Sequence, residues 1–425
     1  MRGTPGGPAV KADGDGLPDA GPWATAGGAQ PRAGALLPHV AAGLLLMAAA
    51  AWLYIGATWP AALRGGFDHN AWEAWALLHG HIATPRPPST GDMAYYDGRW
   101  YSFFPPLPAV LLMPLVWHAQ SGTPRGIPLV GGLMGTVAVG AVYATCAQAG
   151  LRWWVGAALT ALFGFGTVFW YSVIQGTPWY FVQVCTVFFY VLALRESFGR
   201  NRPALVGTLF GCALLCRNPV ALGFPFLFWR ERTLDWRRIR GFTLPVAGAV
   251  GLQLLWNYAR FGNPLDTGYG HIMMASYLRP SFEEGMFSIR HLPWQVYSLL
   301  FAAPAFRARW PYLQLNANGQ SLLLTTPAFL YALEGNIRDR RTWLGLGAAL
   351  ATAMPQLLYY ANGWVQFGER FSLDYTPLLM ALLIFGIGRR FRWQHAALIG
   401  VSVFLCGYGA VYGAGARVLP HGMHL

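Results

Sequence analysis

Long apolar segments, separated mostly by short polar loops, occupy most of the chain from residue 35 to residue 413. Many of them approach the ~20 residues that a helix needs to cross a bilayer. The pattern predicts an all-α polytopic membrane protein with about eleven transmembrane helices. These lie at residues 35–60, 127–149, 153–174, 178–194, 203–216, 218–229, 241–258, 319–335, 342–361, 371–388 and 393–413.

Three apolar segments are shorter than the rest. Residues 203–216 and 218–229 flank Arg217-Asn218-Pro219, a sequence typical of a tight turn at one membrane face. A single long helix broken at Pro219 is the alternative. The run from Pro105 to His118 offers only fourteen residues. It is too short to cross the bilayer, and we expect it to lie at the membrane interface.

Basic residues are concentrated in the short loops between the predicted helices. With a cytoplasmic N-terminus and the C-terminus outside, 18 of the 30 basic residues fall on the cytoplasmic side. This is the positive-inside pattern of a multi-pass protein of the cytoplasmic membrane. The eighteen are Arg2, Lys11, Arg32, Arg152, Arg195, Arg200, Arg202, Arg230, Arg232, Arg237, Arg238, Arg240, Arg338, Arg340, Arg341, Arg389, Arg390 and Arg392.

The predicted topology gives the domain organisation. Residues 1–33 are poor in apolar residues and predict a disordered cytoplasmic tail. No basic segment directly precedes the first apolar stretch, so we expect no cleaved signal peptide. Residues 34–414 form one transmembrane domain with two long outer loops, 61–126 and 259–318, and residues 415–425 form a short outer tail. Short interfacial helices are expected within both loops.

Composition excludes several functions. Hydrophobic residues make up 55% of the chain and charged residues 11%. The net charge of +13 indicates no nucleic-acid partner, because its basic clusters lie where anionic lipid headgroups attract them. Lys11 is the only lysine, so the chain lacks a P-loop lysine and ATP-driven transport is not expected. The five cysteines all fall within predicted helices and indicate packing residues rather than a disulfide framework.

The first outer loop begins with an acidic residue, Asp68, just beyond the first predicted helix. An enzyme that acts on a lipid-linked substrate needs its general base at such a membrane face. Residues 70–81 predict a helix lying on the membrane, with Trp72, Trp75, Ala76 and His79 on one stripe. Further along, Asp97-Gly98 between aromatic residues predicts a turn or hairpin.

A metal site in this loop has two interpretations. His69, His79 and His81 with Asp68 could bind zinc, but residues two apart on a helix point in different directions. A divalent cation, Mg²⁺ or Mn²⁺, bridging Asp68 and a donor phosphate is the other interpretation. No set of metal ligands is predicted, and such a cation stays an alternative.

Polar and aromatic residues at two further outer positions could bind substrate. The stretch from Asn257 to His271 is rich in turns and includes Arg260 and Tyr269. Residues 363–371 include Glu369 and Arg370, at the outer end of a predicted helix. A glutamate can hold a hydroxyl, and a guanidinium matches phosphate oxygens. The alternative is an arginine that extends to the interface and pairs with its neighbour.

These motifs, in this order, resemble bacterial glycosyltransferases of the GT-C membrane class. They comprise the acid after the first helix, residues 92–100 leading into 103–108, residues 257–269 and residues 363–377. The resemblance covers roughly residues 35–390 and includes relatives of protein O-mannosyltransferases, of glycosyltransferase family 39, and of the lipid A aminoarabinose transferase.

The resemblance implies inverting transfer of a sugar from a polyprenyl-phosphate donor to a lipid, glycan or protein acceptor at the outer membrane face. Asp68 would be the general base. The implied substrate-binding residues are Glu73, Asp97, Arg99, Tyr101, Arg217, Arg260, Tyr269, Glu369 and Arg370.

Two departures from the class matter. Asp68 is followed by His69 and Asn70 instead of a second acid. The next outer turn reads Gln175-Gly176-Thr177-Pro178 and carries no carboxylate, which puts metal dependence in doubt. A flippase or transporter of lipid-linked sugars and a catalytically inactive membrane protein are the competing hypotheses. A transporter would place polar groups at mid-membrane, where the predicted helices offer few beyond Gln183, Gln253 and Gln356.

Overall fold

The computed structural model describes residues 33–64, 68–229, 235–273, 279–310, 312–316, 318–363 and 366–413. Nearly all of the two predicted tails, and Arg230 and Arg232 of the predicted cytoplasmic cluster, lie outside these residues. The α-helices are, in chain order, α1 (Ala33–Arg64), α2 (His69–Leu78), α3 (Leu107–Ala119), α4 (Ile127–Gln148), α5 (Trp153–Phe165), α6 (Val168–Gln175), α7 (Pro178–Phe198), α8 (Pro203–Leu214), α9 (Phe224–Trp229), α10 (Trp236–Phe261), α11 (Arg279–Glu283), α12 (Leu292–Phe301), α13 (Leu322–Thr325), α14 (Arg340–Leu357), α15 (Thr376–Gly386) and α16 (Trp393–Tyr408).

Short 3₁₀-helices, two hairpins and one π-helical turn complete the described chain. The hairpins pair β1 (Met93–Tyr96) with β2 (Arg99–Ser102) and β3 (Ala305–Phe306) with β4 (Leu313–Gln314), both antiparallel. The first hairpin confirms the turn predicted at Asp97-Gly98, where both residues have positive φ. The second hairpin was not predicted, so the fold is helical with two small β-hairpins. The 3₁₀-helices are Asn218–Gly223, Tyr269–His271, Ile289–His291, Pro327–Glu334, Arg370–Asp374 and Gly388–Arg390, and Gly409–Gly413 forms the π-helical turn.

Helices long and apolar enough to cross a membrane number five among the described residues, or six with the α5–α6 pair, which is bent by 49°. The five are α1, α4, α7, α10 and α16 with its π-helical extension. The molecule is thus a multi-pass membrane protein, but the predicted eleven spans are not confirmed. Residues 203–216, 218–229, 319–335, 342–361 and 371–388 contain shorter, interrupted or less apolar helices.

Proline explains why several predicted spans are interrupted. Pro219 and Pro327 lie at the second and first positions of two 3₁₀-helices, and each helix follows a residue outside helical geometry, Arg217 and Thr326 respectively. The chain between Leu214 and Asn218 turns through an extended Arg217, so the predicted turn exists and a single broken helix does not. The predicted interfacial run forms α3, whose thirteen residues are too few to span.

The helices divide the described residues into two membrane faces. A small group of contacts ties the ends of α4, α5, α7, α8, α10, α14 and α15 together at one face: Gln148 with Gly199, Pro203 with Gly241, Leu151 with Gly388, and Gly335 with Gly386. The helix ends and loops at this face, called the arginine face, carry Arg152, Arg195, Arg200, Arg202, Arg237, Arg238, Arg240, Arg338, Arg340, Arg341, Arg389, Arg390 and Arg392. The opposite ends of these helices form the site face, described below.

Glycine allows close packing between α8 and α10. A Cβ atom on Gly207 would lie 2.4 Å from the Phe242 carbonyl oxygen, far below van der Waals contact. Gly211 faces Ala249 one turn further along the same interface. Backbones can approach this closely only where one partner lacks a side chain, as is common between membrane helices. This interface orients the C-terminal ends of both helices toward the site face.

We predict that Gly207→Ala separates α8 from α10 and lowers the free energy of unfolding by about 1–3 kcal/mol. Thermal unfolding of the purified protein in detergent measures the effect. Gly248→Ala on α10 is the matched control, because its Cβ atom would meet nothing within 4 Å. A destabilisation no larger than that of the control would contradict the proposed packing constraint.

Candidate functional site

Asp68 caps the N-terminus of α2. Its backbone is extended, and its Oδ1 atom accepts hydrogen bonds from the backbone N–H groups of Asn70 (2.8 Å) and Ala71 (3.0 Å). Asp68 is 3% exposed, and no described residue gives its second oxygen, Oδ2, a hydrogen bond. Burial raises its pKa to about 6, against the opposing effect of the two backbone donors. Asp68 is therefore a buried cap with one oxygen left for another partner.

Helix α2 has two different faces. His69 and Glu73, one turn apart, are buried together with the small residues between them. On the other side, Trp72 stacks on Trp75 and Trp75 on His79, with ring centroids 6.0 Å and 4.1 Å apart. These three residues belong to the predicted membrane-surface stripe. Ala76, its fourth predicted member, is fully buried.

Arg260 joins α10, β2 and α2. Its guanidinium donates to the Ser102 carbonyl oxygen and to Asn257 Oδ1, and its Nη1 lies 3.9 Å from Glu73 Oε1. Burial raises the pKa of Glu73 to about 8, and the nearby Arg260 opposes that shift. The donors of Arg260 thus hold the loop structure together. Both Arg260 and Glu73 were predicted to bind substrate, and the structure gives this pair a role within the fold.

The β1–β2 hairpin holds three predicted substrate-binding residues. Tyr101 is buried and packs against Phe261 with ring centroids 5.3 Å apart. Asp97 and Arg99 are exposed at the tip of the hairpin. Within the described chain, no hydrogen bond or ion pair connects these two residues to the buried groups of the site face. The structure therefore does not bring Asp97 and Arg99 to the site.

A buried ion pair connects two distant parts of the chain at the site face. Arg217, just after α8, donates from Nε and Nη2 to the two carboxylate oxygens of Asp374, at 2.6 Å and 2.8 Å. Asp374 lies two residues before α15, at the end of the 3₁₀-helix Arg370–Asp374. The guanidinium of Arg217 also lies over the Phe371 ring, 5.3 Å from its centroid. This bidentate geometry fixes both residues.

Arg370 contacts the same aromatic ring. Its guanidinium is 5.2 Å from the Phe371 centroid and 5.3 Å from that of Tyr180. Among the described residues, no carboxylate forms an ion pair with it, and its Nε has no hydrogen-bond partner. The adjacent Glu369 is buried, and burial raises its pKa to about 8 despite the opposing charge of Arg370. We call Arg217, Glu369, Arg370 and Asp374 the arginine–carboxylate cluster.

Tyr269 lies between this cluster and the first outer loop. Burial raises its pKa, and Arg217, Asp374, Arg370 and Asp92 are all close enough to influence it. Its ring contacts Phe103, which contacts Phe104, which in turn contacts His69. His69 follows Asp68 directly in the chain. These contacts place Asp68 and the cluster at the two ends of one aromatic wall, made of Phe103, Phe104, Trp179, Tyr269 and Tyr359.

The structure thus brings five predicted residues to one region, namely Asp68, Arg217, Tyr269, Glu369 and Arg370. It adds residues that were not predicted to bind substrate: Asp92, Trp179, Tyr180, Tyr359 and Asp374. Asp374 had a detectable signal, since it lies four residues after Arg370 at the head of a predicted helix. Asp92 and Tyr359 lie outside the helices, and Trp179 and Tyr180 lie in the first turn of α7. No spacing in the sequence identifies a partner for any of these four.

The described residues contain no cluster of side chains typical of a metal site. No group of three or more His, Cys, Asp or Glu side chains in the described chain could hold a metal ion. Asp68 uses one oxygen for the α2 cap, and both oxygens of Asp374 accept from Arg217. Among the described residues of the cluster, the positive charges are the guanidinium groups of Arg217 and Arg370.

No protein-family model and no curated protein sequence matches this chain. Solved structures of the oligosaccharyltransferase from Archaeoglobus fulgidus are similar to it. The apo form gives a TM-score of 0.46 at 13% identity, and the complex with an inhibitory peptide and a dolichol-phosphate gives 0.44 at 14%. The alignments with these two structures cover 88% of this chain and 55% of the other, so this chain spans about half the length of its neighbours.

We predict that Glu73→Gln makes the protein more stable at alkaline pH. The pKa of Glu73 is raised from 4.5 to about 8, so the wild-type fold loses stability as pH rises through that range. The variant carries no such group, and its advantage above pH 8 should be on the order of 1–3 kcal/mol. Thermal unfolding in detergent from pH 5 to pH 9 measures it. The exposed Glu283→Gln serves as control, and equal pH slopes for wild type and Glu73→Gln would refute the prediction.

Proposed function

We propose that this protein is a membrane glycosyltransferase that transfers a sugar from a polyprenyl-phosphate donor to an acceptor hydroxyl at the site face. The observation that carries the proposal is the buried guanidinium of Arg370, which has no ionised partner among the described residues. A buried charge without a counterion is unfavourable unless a ligand supplies one. The unpaired arginine therefore supports an anionic substrate.

The charges of the cluster indicate how many phosphate groups the substrate carries. The charge of Arg217 is balanced by Asp374. Glu369, with a pKa of about 8, is mostly neutral at pH 7 and leaves Arg370 uncompensated. The cluster then has one net positive charge. A phosphodiester between a sugar and a polyprenol has one negative charge and matches it, whereas a pyrophosphate linkage would bring more negative charge than the cluster can balance.

The surroundings of the cluster suit the other parts of such a donor. The aromatic wall offers apolar ring faces and the hydroxyls of Tyr269 and Tyr359, the mixture that sites for sugar-like ligands use. The cluster also lies at the ends of apolar helices, where a polyprenyl chain can remain in the lipid. A transporter would need its charged groups at mid-membrane rather than at one face. This location favours a transferase over a flippase.

The chemistry follows from this arrangement. The acceptor oxygen attacks the anomeric carbon from the side opposite the phosphate, forming the new glycosidic bond as the bond to the phosphate oxygen breaks. The acceptor proton passes to the unpartnered Oδ2 of Asp68, which acts as general base. Arg370, supported by Arg217, stabilises the charge that develops on the departing polyprenyl phosphate. Inversion at the anomeric carbon is the expected outcome.

We predict that two variants of Asp68 distinguish its role as a helix cap from its role as the general base. Asp68→Asn keeps a good N-cap and should leave stability within about 0.5 kcal/mol, whereas Asp68→Ala should lose about 1 kcal/mol. Both should lose transfer by roughly 100-fold or more. Wild-type transfer should fall as pH drops below about 6, because the base becomes protonated. Product formation from polyprenyl-phosphate sugars in detergent micelles measures this, and undiminished transfer by Asp68→Asn would exclude Asp68 as the base.

We predict that Arg370→Gln weakens use of the donor. Loss of a charge-assisted contact to the phosphate should lower kcat/KM for a polyprenyl-phosphate sugar roughly 100-fold. Arg99→Gln is the matched control, because Arg99 is exposed at the hairpin tip and should stay within about twofold of wild type. Steady-state kinetics with monophosphate and pyrophosphate donors measures both variants. Equal use of the pyrophosphate donor by wild type would contradict the charge balance.

A further inference from the structure

A second cluster of arginines surrounds a cavity at the arginine face, opposite the candidate site. The cavity has a volume of about 300 Å³ and is lined by Gln148, Arg195, Glu196, Arg200 and Arg202. Gln148 ends α4, and Arg195 and Glu196 lie in the last turn of α7. Both helices are apolar enough to cross a membrane, so their ends lie level with lipid headgroups.

The charges around this cavity are not balanced. Glu196 accepts from Arg202 three times, from its backbone N–H (3.1 Å), its Nε (2.9 Å) and its Nη2 (3.0 Å). Glu196 is thus occupied by Arg202. Arg195 and Arg200 are exposed, and no carboxylate of the described chain forms an ion pair with either. Two guanidinium groups therefore remain available to one anionic ligand.

Gln148 adds a second requirement, which concerns hydrogen bonding by the ligand. Its side-chain oxygen is buried and has no hydrogen-bond donor among the described residues. An unpaired buried acceptor costs free energy, so a ligand that donates a hydrogen bond is favoured. Phosphate oxygens accept but do not donate. The ligand should therefore combine an anionic phosphate with a hydroxyl group.

We propose that this cavity binds the headgroup of an anionic phospholipid, with phosphatidylglycerol as the simplest example. Its phosphate diester would lie between Arg195 and Arg200, and a glycerol hydroxyl would donate to Gln148. Phosphatidylcholine has the same phosphate but carries a fixed cation, which the arginines repel, and it has no hydroxyl donor. The site is independent of the proposed transferase activity, because it lies at the other membrane face.

Lipid-dependent thermal stability of the full chain tests the site. Wild-type protein in phosphatidylcholine nanodiscs should gain thermal stability as phosphatidylglycerol is added, because a ligand that binds only the folded state stabilises it. Arg195→Gln/Arg200→Gln should weaken the apparent affinity for phosphatidylglycerol roughly tenfold. Arg389→Gln/Arg390→Gln removes the same charge from the same face and should respond like wild type. An equal loss in both double variants would mean general surface attraction and overturn the site.

Two further experiments distinguish a lipid headgroup from a free anion as the ligand and test the hydroxyl contact with Gln148. Inorganic phosphate, added to protein in phosphatidylcholine alone, should give no stabilisation; a shift equal to that with phosphatidylglycerol would assign the cavity to a free anion. Gln148→Leu should reduce the response to phosphatidylglycerol, and an unchanged response would overturn the hydroxyl contact. If the double arginine variant does not fold, Arg200→Gln alone, in an exposed loop, replaces it and should show a weakened response.

Discussion

The buried ion pair between Arg217 and Asp374 is the interaction on which the site depends. It connects residues 157 positions apart, one leaving α8 and the other leading into α15. Breaking such a pair costs about 3–5 kcal/mol, because the remaining charge is left without a partner. The guanidinium groups of Arg217 and Arg370 both lie over the Phe371 ring, 5.3 Å and 5.2 Å from its centroid. The ion pair thus fixes one of the two cations that contact Phe371.

Three carboxyl groups at the site face differ in their surroundings. Asp374 accepts two donors from one guanidinium, Glu369 is buried beside an arginine without pairing to it, and Asp68 shares one oxygen with a helix terminus. Burial without a counterion keeps a carboxyl group neutral, and partial hydrogen bonding leaves it ready to accept a proton. Asp374 therefore suits the support of a phosphate-binding arginine, Glu369 suits the binding of a hydroxyl, and Asp68 suits proton transfer.

Much of the local structure could be predicted from the sequence, because it depends on neighbouring residues. The apolar segments, the surface helix α2 and the turn at Asp97-Gly98 all follow from short-range patterns. The cap at Asp68 was missed although aspartate before a helix is a strong signal. The predicted number of spans is not confirmed, because hydrophobicity alone does not reveal where 3₁₀-helices interrupt a segment, as in the segments that contain Pro219 and Pro327.

Partners at the site could not be predicted, because long-range contacts leave no local signal. In the sequence, Arg217 looks like a turn residue. Only the folded structure reveals its ion pair with Asp374. Conversely, Asp97 and Arg99 belong to an aromatic, charged motif, but the hairpin geometry directs them to the surface. In the sequence, Arg260 resembles a phosphate ligand. In the structure, its guanidinium donates hydrogen bonds to Ser102 and Asn257.

The choice of arginine over lysine has a consequence for how the two faces respond to acidity. Guanidinium groups stay protonated at any physiological pH, so the charge that faces one side of the membrane is constant. The carboxyl groups opposite, at Asp68 and Glu369, have pKa values of about 6 and 8 and change charge within the neutral range. A drop in pH on that side would therefore alter the electric field at the site while the orientation of the protein in the bilayer stays fixed.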